Sequence, residues 1–195
     1  MSRPVAAVTF YYDPSSPYGW MAAERIGDLI PDADWQAVYG FALLRAVGRT
    51  PWVLTDERPA RLAEIEKRAA GYGLPPIRWP QSLPERAVDI ARALRVARRH
   101  DRERQLALAM ARARFTEGRD VSAPDELRTL AGEAGLDGEE LVAAIADQAV
   151  KDEVAATIEE AVARGAQGIP TTIVGDEVFW GDDRLDEAAA AARSS

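Results

Sequence analysis

Ser16 is the residue whose type and setting best suit it to chemistry. It stands in Ser15-Ser16-Pro17-Tyr18-Gly19, where a strand-like run gives way to a helical one. Ser16 reads as the N-cap and Pro17 as the first helical residue, where proline has no N–H to lose. A hydroxyl at a helix start lies beside unsatisfied N–H donors and the positive end of the helix dipole. An anion is stabilised there, and a thiolate more readily formed. The second candidate is Gly168-Ile169-Pro170-Thr171, a proline just ahead of a strand. With a cis Ile169-Pro170 bond, Ile169 turns its backbone N–H and C=O outward, where an extended peptide-like ligand can pair with them. Asp182-Asp183 is the third candidate. These acids sit at the head of the last helix, where they either hold a ligand or complement the dipole.

Composition narrows the chemistry. The 195 residues include no cysteine and one histidine, His100. That excludes a dithiol redox cycle carried by the chain itself and thiolate metal sites, and no metal site is expected. His100 lies in Arg98-Arg99-His100-Asp101 and reads as a surface residue. Lys and Arg total 24 against 32 Asp and Glu, a formal net charge of -8. Phosphate neutralisation needs clustered positive charge, so no nucleic-acid role is expected. No stretch is apolar for long enough to span a bilayer, and no membrane partner is expected. Met1 to Tyr12 lacks an apolar run with a small-residue cleavage site. The expected location is therefore cytoplasmic.

The elements that must position these residues follow from hydrophobic period. Val5 to Tyr12 reads as a buried strand, Pro17 to Ile30 as a helix and Asp34 to Tyr39 as a second strand, a β-α-β opening. From about Leu43 to Arg164 no strand is expected. Helices are predicted over Arg58 to Gly71, Pro84 to Arg99, Asp101 to Glu117 and Gln148 to Arg164. Two more are predicted between these, one started by Ser122-Ala123-Pro124-Asp125 and one by Asp137 with Glu140 as a capping box. Pro170 to Val174 and Glu177 to Trp180 read as strands joined by Gly175-Asp176, a hairpin turn. A helix from Arg184 to about Arg193 closes the chain. The expected fold class is α/β: a thioredoxin-like β-α-β / β-β-α core, residues 1–42 and 165–195, with a large all-helical insertion over residues 43–164.

These motifs resemble a known family. Phe10-Tyr11-Tyr12-Asp13 with Ser16-Pro17-Tyr18 is similar to the opening of 2-hydroxychromene-2-carboxylate isomerases and kappa-class glutathione transferases, relatives of the DsbA-like disulfide oxidoreductases. Tyr72-Gly73-Leu74-Pro75, Glu117 to Ser122, Ala134 to Asp137 and Gly168 to Thr171 match in order. Val178-Phe179-Trp180-Gly181-Asp182-Asp183-Arg184-Leu185 matches most strongly. The resemblance implies an isomerase of aromatic-degradation intermediates that depends on glutathione or another low-molecular-weight thiol. Its thiolate adds to a conjugated enone, a bond rotates, and the thiolate leaves. It also implies a homodimer. A kappa-like transferase or peroxidase, and a non-catalytic binding module of the same fold, are the alternatives.

The resemblance carries roles onto residues. Ser16 falls where the oxidoreductases carry their nucleophilic cysteine and Gly19 where they carry the second. Ser16 is thereby expected to donate a hydrogen bond to glutathione's sulfur. Ile169, before Pro170, is expected to pair with its cysteinyl backbone. Asp183 is expected to hold its ammonium, and Asp182 or its backbone N–H its γ-glutamyl carboxylate. Tyr18, Arg49, Trp52 and Arg86 are expected on the substrate side. The chain departs from the family at Gly48-Arg49-Thr50-Pro51, where Gly-Asn usually precedes the proline. It departs again at Glu57-Arg58, where a lysine usually meets the glycyl carboxylate, leaving Arg58 as the substitute. Arg86 replaces a common asparagine. These arginines suit an anionic substrate or a solvated surface. Ser16 also serves as a plain N-cap. Trp52, Trp79 and Trp180 also read as packing residues, and Trp20 as core.

Overall fold

The computed structural model of the chain describes residues 7–81, 83–84 and 86–194. Val5 and Ala6, the predicted start of the first strand, lie outside them.

Four strands form one mixed sheet. They are β1 (Val8–Tyr12), β2 (Asp34–Ala37), β3 (Thr171–Val174) and β4 (Glu177–Trp180), in the order β2-β1-β3-β4. β1 runs parallel to β2 and antiparallel to β3, and β3–β4 is a hairpin. The parallel pair needs a crossover, and helix α1 (Pro17–Leu29) supplies it. Side chains alternate across the pleat. Phe10 and Tyr12 stack on one face and meet Trp35 edge-on. Tyr11 points to the other face, with Val38 and Ile173.

The remaining helices are α2 (Gly40–Ala46), α3 (Arg58–Gly71), α4 (Ala87–Arg98), α5 (Glu103–Glu117), α6 (Pro124–Glu133), α7 (Gly138–Ala144), α8 (Gln148–Ala163) and α9 (Leu185–Ser194). Two 3₁₀ turns, Trp52–Leu54 and Asp182–Arg184, complete the chain. The fold is thus thioredoxin-like, α/β with a helical insertion between β2 and β3. That insertion shares the core. One buried cluster runs from Phe10 and Tyr12 through α1 and α9 to α4, α5, α6 and α7. Ala161 of α8 packs on the opposite face with Tyr11 and Ile173, so α8 serves as a layer on the sheet.

Several boundaries differ from those predicted. β2 ends at Ala37, although Val38 N–H still donates to the Tyr12 carbonyl at 2.9 Å. α2 was not predicted. It has seven residues and no side-chain cap, and it depends on Leu43, which is buried with Val38 and Ala161. α4 starts at Ala87, not Pro84. α6 is capped by Ala123, because the Ser122 hydroxyl is turned onto Asp120 at 2.7 Å. Asp137 does cap α7, accepting from Glu139 and Glu140 N–H. His100 is exposed and Trp20 fully buried. No helix among the described residues is long and apolar enough to cross a membrane.

Candidate active site

A cavity of about 510 Å³ opens where the start of α1, the loop before β3 and the 3₁₀ turn at Asp182–Arg184 converge. α3, Tyr39, Phe41 and Leu44 at α2, residues 49–53, and Leu83, Pro84 and Ala87 line it as well.

Ser16 caps α1 from extended backbone, φ -92° and ψ 132°. Its Oγ accepts the Gly19 N–H at 3.4 Å, a long bond that occupies one lone pair. A hydroxyl keeps its own proton to donate, and no acceptor for it is found among the described residues. Asp13 fixes this turn. Its carbonyl accepts Ser16 N–H at 3.0 Å. Its Oδ1 accepts Ser15 N–H at 2.8 Å and the Ser15 hydroxyl at 2.6 Å, an Asx turn. Its Oδ2 accepts Gly40 N–H at 2.9 Å, which ties the turn to the start of α2. Burial pushes the Asp13 pKa up against the lowering effect of those bonds and of Arg114.

Ile169-Pro170 is a cis bond. Thr171 Oγ1 bonds the Gly168 carbonyl at 2.8 Å, and Gly181 N–H the Pro170 carbonyl at 2.9 Å. Both ends of the loop are thereby pinned. Ile169 lines the cavity, and its own N–H and C=O have no partner among the described residues.

Asp182 is 1% exposed. Arg68 of α3 donates to its Oδ1 at 2.9 Å, and Arg25 donates to its backbone carbonyl at 3.1 Å. Its Oδ2 is buried. Burial raises the Asp182 pKa, opposed by Arg68 and the Tyr72 hydroxyl. Asp183 is exposed, 3.7 Å from Arg68. Arg68 also pairs with Glu64, which accepts the Tyr18 hydroxyl at 3.0 Å. Burial and then Glu64 push the Tyr18 pKa up to about 12. Its proton is therefore committed to Glu64, and what Tyr18 offers the cavity is its ring, edge-on to Trp52.

The structure gathers Ser16, Tyr18, Arg49, Trp52, Ile169, Pro170, Asp182 and Asp183 around this one cavity. Two expected residues stand outside it. Arg58 is exposed and does not line the cavity. It lies one helical step, about 100°, from the stripe Glu57, Arg61, Glu64, Arg68, whose spacing puts those four on one face. Arg86 is turned away onto Asp89 at 2.5 Å, and its neighbours Pro84 and Ala87 reach the wall instead. Asp182 also differs from expectation, because its carboxyl is held by a cation of the chain itself. Sequence reading missed Asp13, Glu64 and Arg68. The charge stripe in α3 was the available signal for the last two.

The model of the DSBA-like thioredoxin domain family matches residues 7–192. A 2-hydroxychromene-2-carboxylate isomerase of Sphingobium xenophagum is 28% identical over 194 residues, covering 92% of this chain and 94% of that protein. A solved 2-hydroxychromene-2-carboxylate isomerase superposes with TM-score 0.83 at 20% identity, covering 96% and 95% of the two chains. The oxidoreductase DsbA of Xylella fastidiosa superposes with TM-score 0.58 at 15% identity, covering 98% and 89%.

Proposed function

We propose that this chain, which belongs to the DSBA-like thioredoxin domain family, is a thiol-dependent isomerase of the 2-hydroxychromene-2-carboxylate isomerase type that uses glutathione. One observation carries the reading. Two groups without partners among the described residues, the Ser16 O–H and the Ile169 backbone, border the same cavity as the exposed Asp183 carboxylate. A γ-glutamyl-cysteinyl thiol offers one complement to each.

When bound, the thiol supplies the nucleophile, which adds to a conjugated enone, permits rotation and is expelled. Ser16 donates to the sulfur at the head of α1, where the free N–H groups and the dipole also favour negative charge. A hydrogen bond to a charged group is worth about 1.5–3 kcal/mol, which lowers a thiol pKa by about one to two units. Ile169 pairs with the cysteinyl backbone as a neighbouring strand would. Asp183 faces the ammonium, with Asp182 Oδ2 behind it. The backbone N–H of Asp182, at the head of the closing turn and helix, is left for the adjacent carboxylate. Leu44, Trp52, Val53 and Leu83 give the cavity an apolar wall that thins the water around the sulfur.

The test is isomerisation of 2-hydroxychromene-2-carboxylate, followed by absorbance with and without glutathione, beside calorimetric titration with S-methylglutathione. Thiol-dependent turnover, lost in Ser16→Ala together with glutathione affinity, is the expected result. Absence of both turnover and binding overturns the proposal.

A further inference from the structure

Three arginines face the cavity, and they differ in what already neutralises them. Arg68 is taken by Glu64 and Asp182. Arg61 is paired with Glu57 at 3.3 Å. Arg49 makes no ion pair with any described residue. Its side chain is nonetheless placed, because the guanidinium carbon lies 4.5 Å from the centroid of the Trp180 ring. Trp180 is backed in turn by Gly168, where an added Cβ would fall 2.7 Å from the indole Nε1. The stack Gly168–Trp180–Arg49 therefore sets a planar cation beside the Ile169-Pro170 loop. Its backbone is fixed as well. Gly48 turns the chain at φ +72°, and Arg49 N–H donates to the Leu44 carbonyl at 2.8 Å.

A guanidinium held over an indole by its central carbon keeps an outer edge of N–H donors. That edge is a fork of N–H donors matched to a planar carboxylate. Cavity acids make the match selective. Glu57, Asp182 and Asp183 repel an anion unless it meets a cation that none of them holds. Among the described residues that cation is Arg49.

We infer that Arg49, seated on Trp180, is the specificity-determining residue that receives a carboxylate of the electrophilic substrate. This rests on the thiol-isomerase reading for what enters the cavity. The recognition itself is separate, since it needs neither Ser16 nor a thiol. The other carboxylate that can reach this fork is the thiol's own, and the experiment separates the two.

Cinnamate and its neutral isostere cinnamamide are titrated calorimetrically into wild type, Arg49→Gln, Arg49→Lys and Trp180→Leu, with S-methylglutathione titrated into each in parallel. Wild type is expected to bind cinnamate at least about tenfold tighter than cinnamamide, the equivalent of about 1.4 kcal/mol. Arg49→Gln is expected to abolish that preference and leave S-methylglutathione affinity unchanged. Arg49→Lys is expected to restore only part of it, because an ammonium makes no fork, and Trp180→Leu to weaken it by removing the platform. No preference in wild type, or a full preference in Arg49→Gln, overturns the inference. So does loss of S-methylglutathione affinity in Arg49→Gln with the cinnamate preference intact, which assigns the fork to the thiol. If S-methylglutathione binds no form while the cinnamate preference follows Arg49, the thiol reading fails and this one stands.

Discussion

Gly19→Ala should destabilise the protein although alanine is the better helix former. Gly19 is the third residue of α1, and a Cβ there would lie 2.2 Å from the Asp13 carbonyl oxygen. To reach ordinary contact that oxygen must retreat by roughly 1 Å. It accepts the Ser16 N–H, and the same residue's carboxylate holds Ser15 and Gly40. Loosening this set forfeits part of several hydrogen bonds, each worth about 1 kcal/mol net. Forced contact in a packed site costs about 1–3 kcal/mol. Against this stands the propensity gain, at most about 1 kcal/mol and less in a first turn. The net expectation is a loss of about 2–3 kcal/mol, or roughly 5–10 °C in melting temperature for a chain of this size. Gly27→Ala is the control, because the same helix has nothing within 4 Å of that Cβ. It should be neutral or stabilising. Urea and thermal unfolding of both variants decide the matter: a Gly19→Ala protein as stable as Gly27→Ala refutes the reasoning. The same clash bears on function, since Gly19 is where the resemblance places the oxidoreductases' second cysteine. Ser16→Cys/Gly19→Cys should therefore melt lower than Ser16→Cys alone, which thermal unfolding of the two reduced variants reads directly.

Ser16→Ala removes a cap bond already stretched to 3.4 Å. Its stability cost should stay under about 1 kcal/mol in urea unfolding, while glutathione affinity near neutral pH falls about tenfold to a hundredfold. Arg68→Met leaves the buried Asp182 without its cation. The loss should be about 3 kcal/mol at pH 7, the low end for a broken buried pair, and should shrink as pH falls, because burial already raises the Asp182 pKa and removal of the Arg68 cation raises it further. Asp13 gives a pH signature of opposite sign to a salt-bridged acid. Burial raises its folded pKa, so the native state binds the proton more tightly than the unfolded chain. Its contribution is full below the ordinary aspartate value of about 3.9 and is lost as pH rises through the folded value. The stability gap between wild type and Asp13→Asn, followed by urea unfolding from pH 3 to 7, should therefore shrink with rising pH. A gap that widens contradicts the burial argument.

What the sequence disclosed and what it withheld divide along the range of the interactions. The strands were legible because Val8–Tyr12 and Thr171–Val174 concentrate β-branched and aromatic residues, and the long amphipathic helices because their apolar period is local. α2 was not legible. Its seven residues carry no cap, and only Leu43, meeting Val38 and Ala161 after folding, gives it a reason to form. The candidate site follows the same division. Ser16, Ile169 and Asp182 announce themselves through local grammar: a cap before proline, a residue before a pre-strand proline, acids at a helix head. Arg68 does not, because its partner Asp182 stands 114 positions away and no periodicity encodes that meeting. Arg58 failed by a single helical step, about 100° of rotation, since an analogy of position fixes where a charge lies along a chain but not which face it takes. Arg49 inverts the case. In the sequence it is a departure from the family's asparagine, but stacked on Trp180 against Gly168 it becomes the cavity's unneutralised cation among the described residues. In this chain the side of the cavity proposed to activate a thiol is written locally. The side proposed to select the substrate is assembled from remote segments, where substitution should change specificity without disturbing the cap at Ser16.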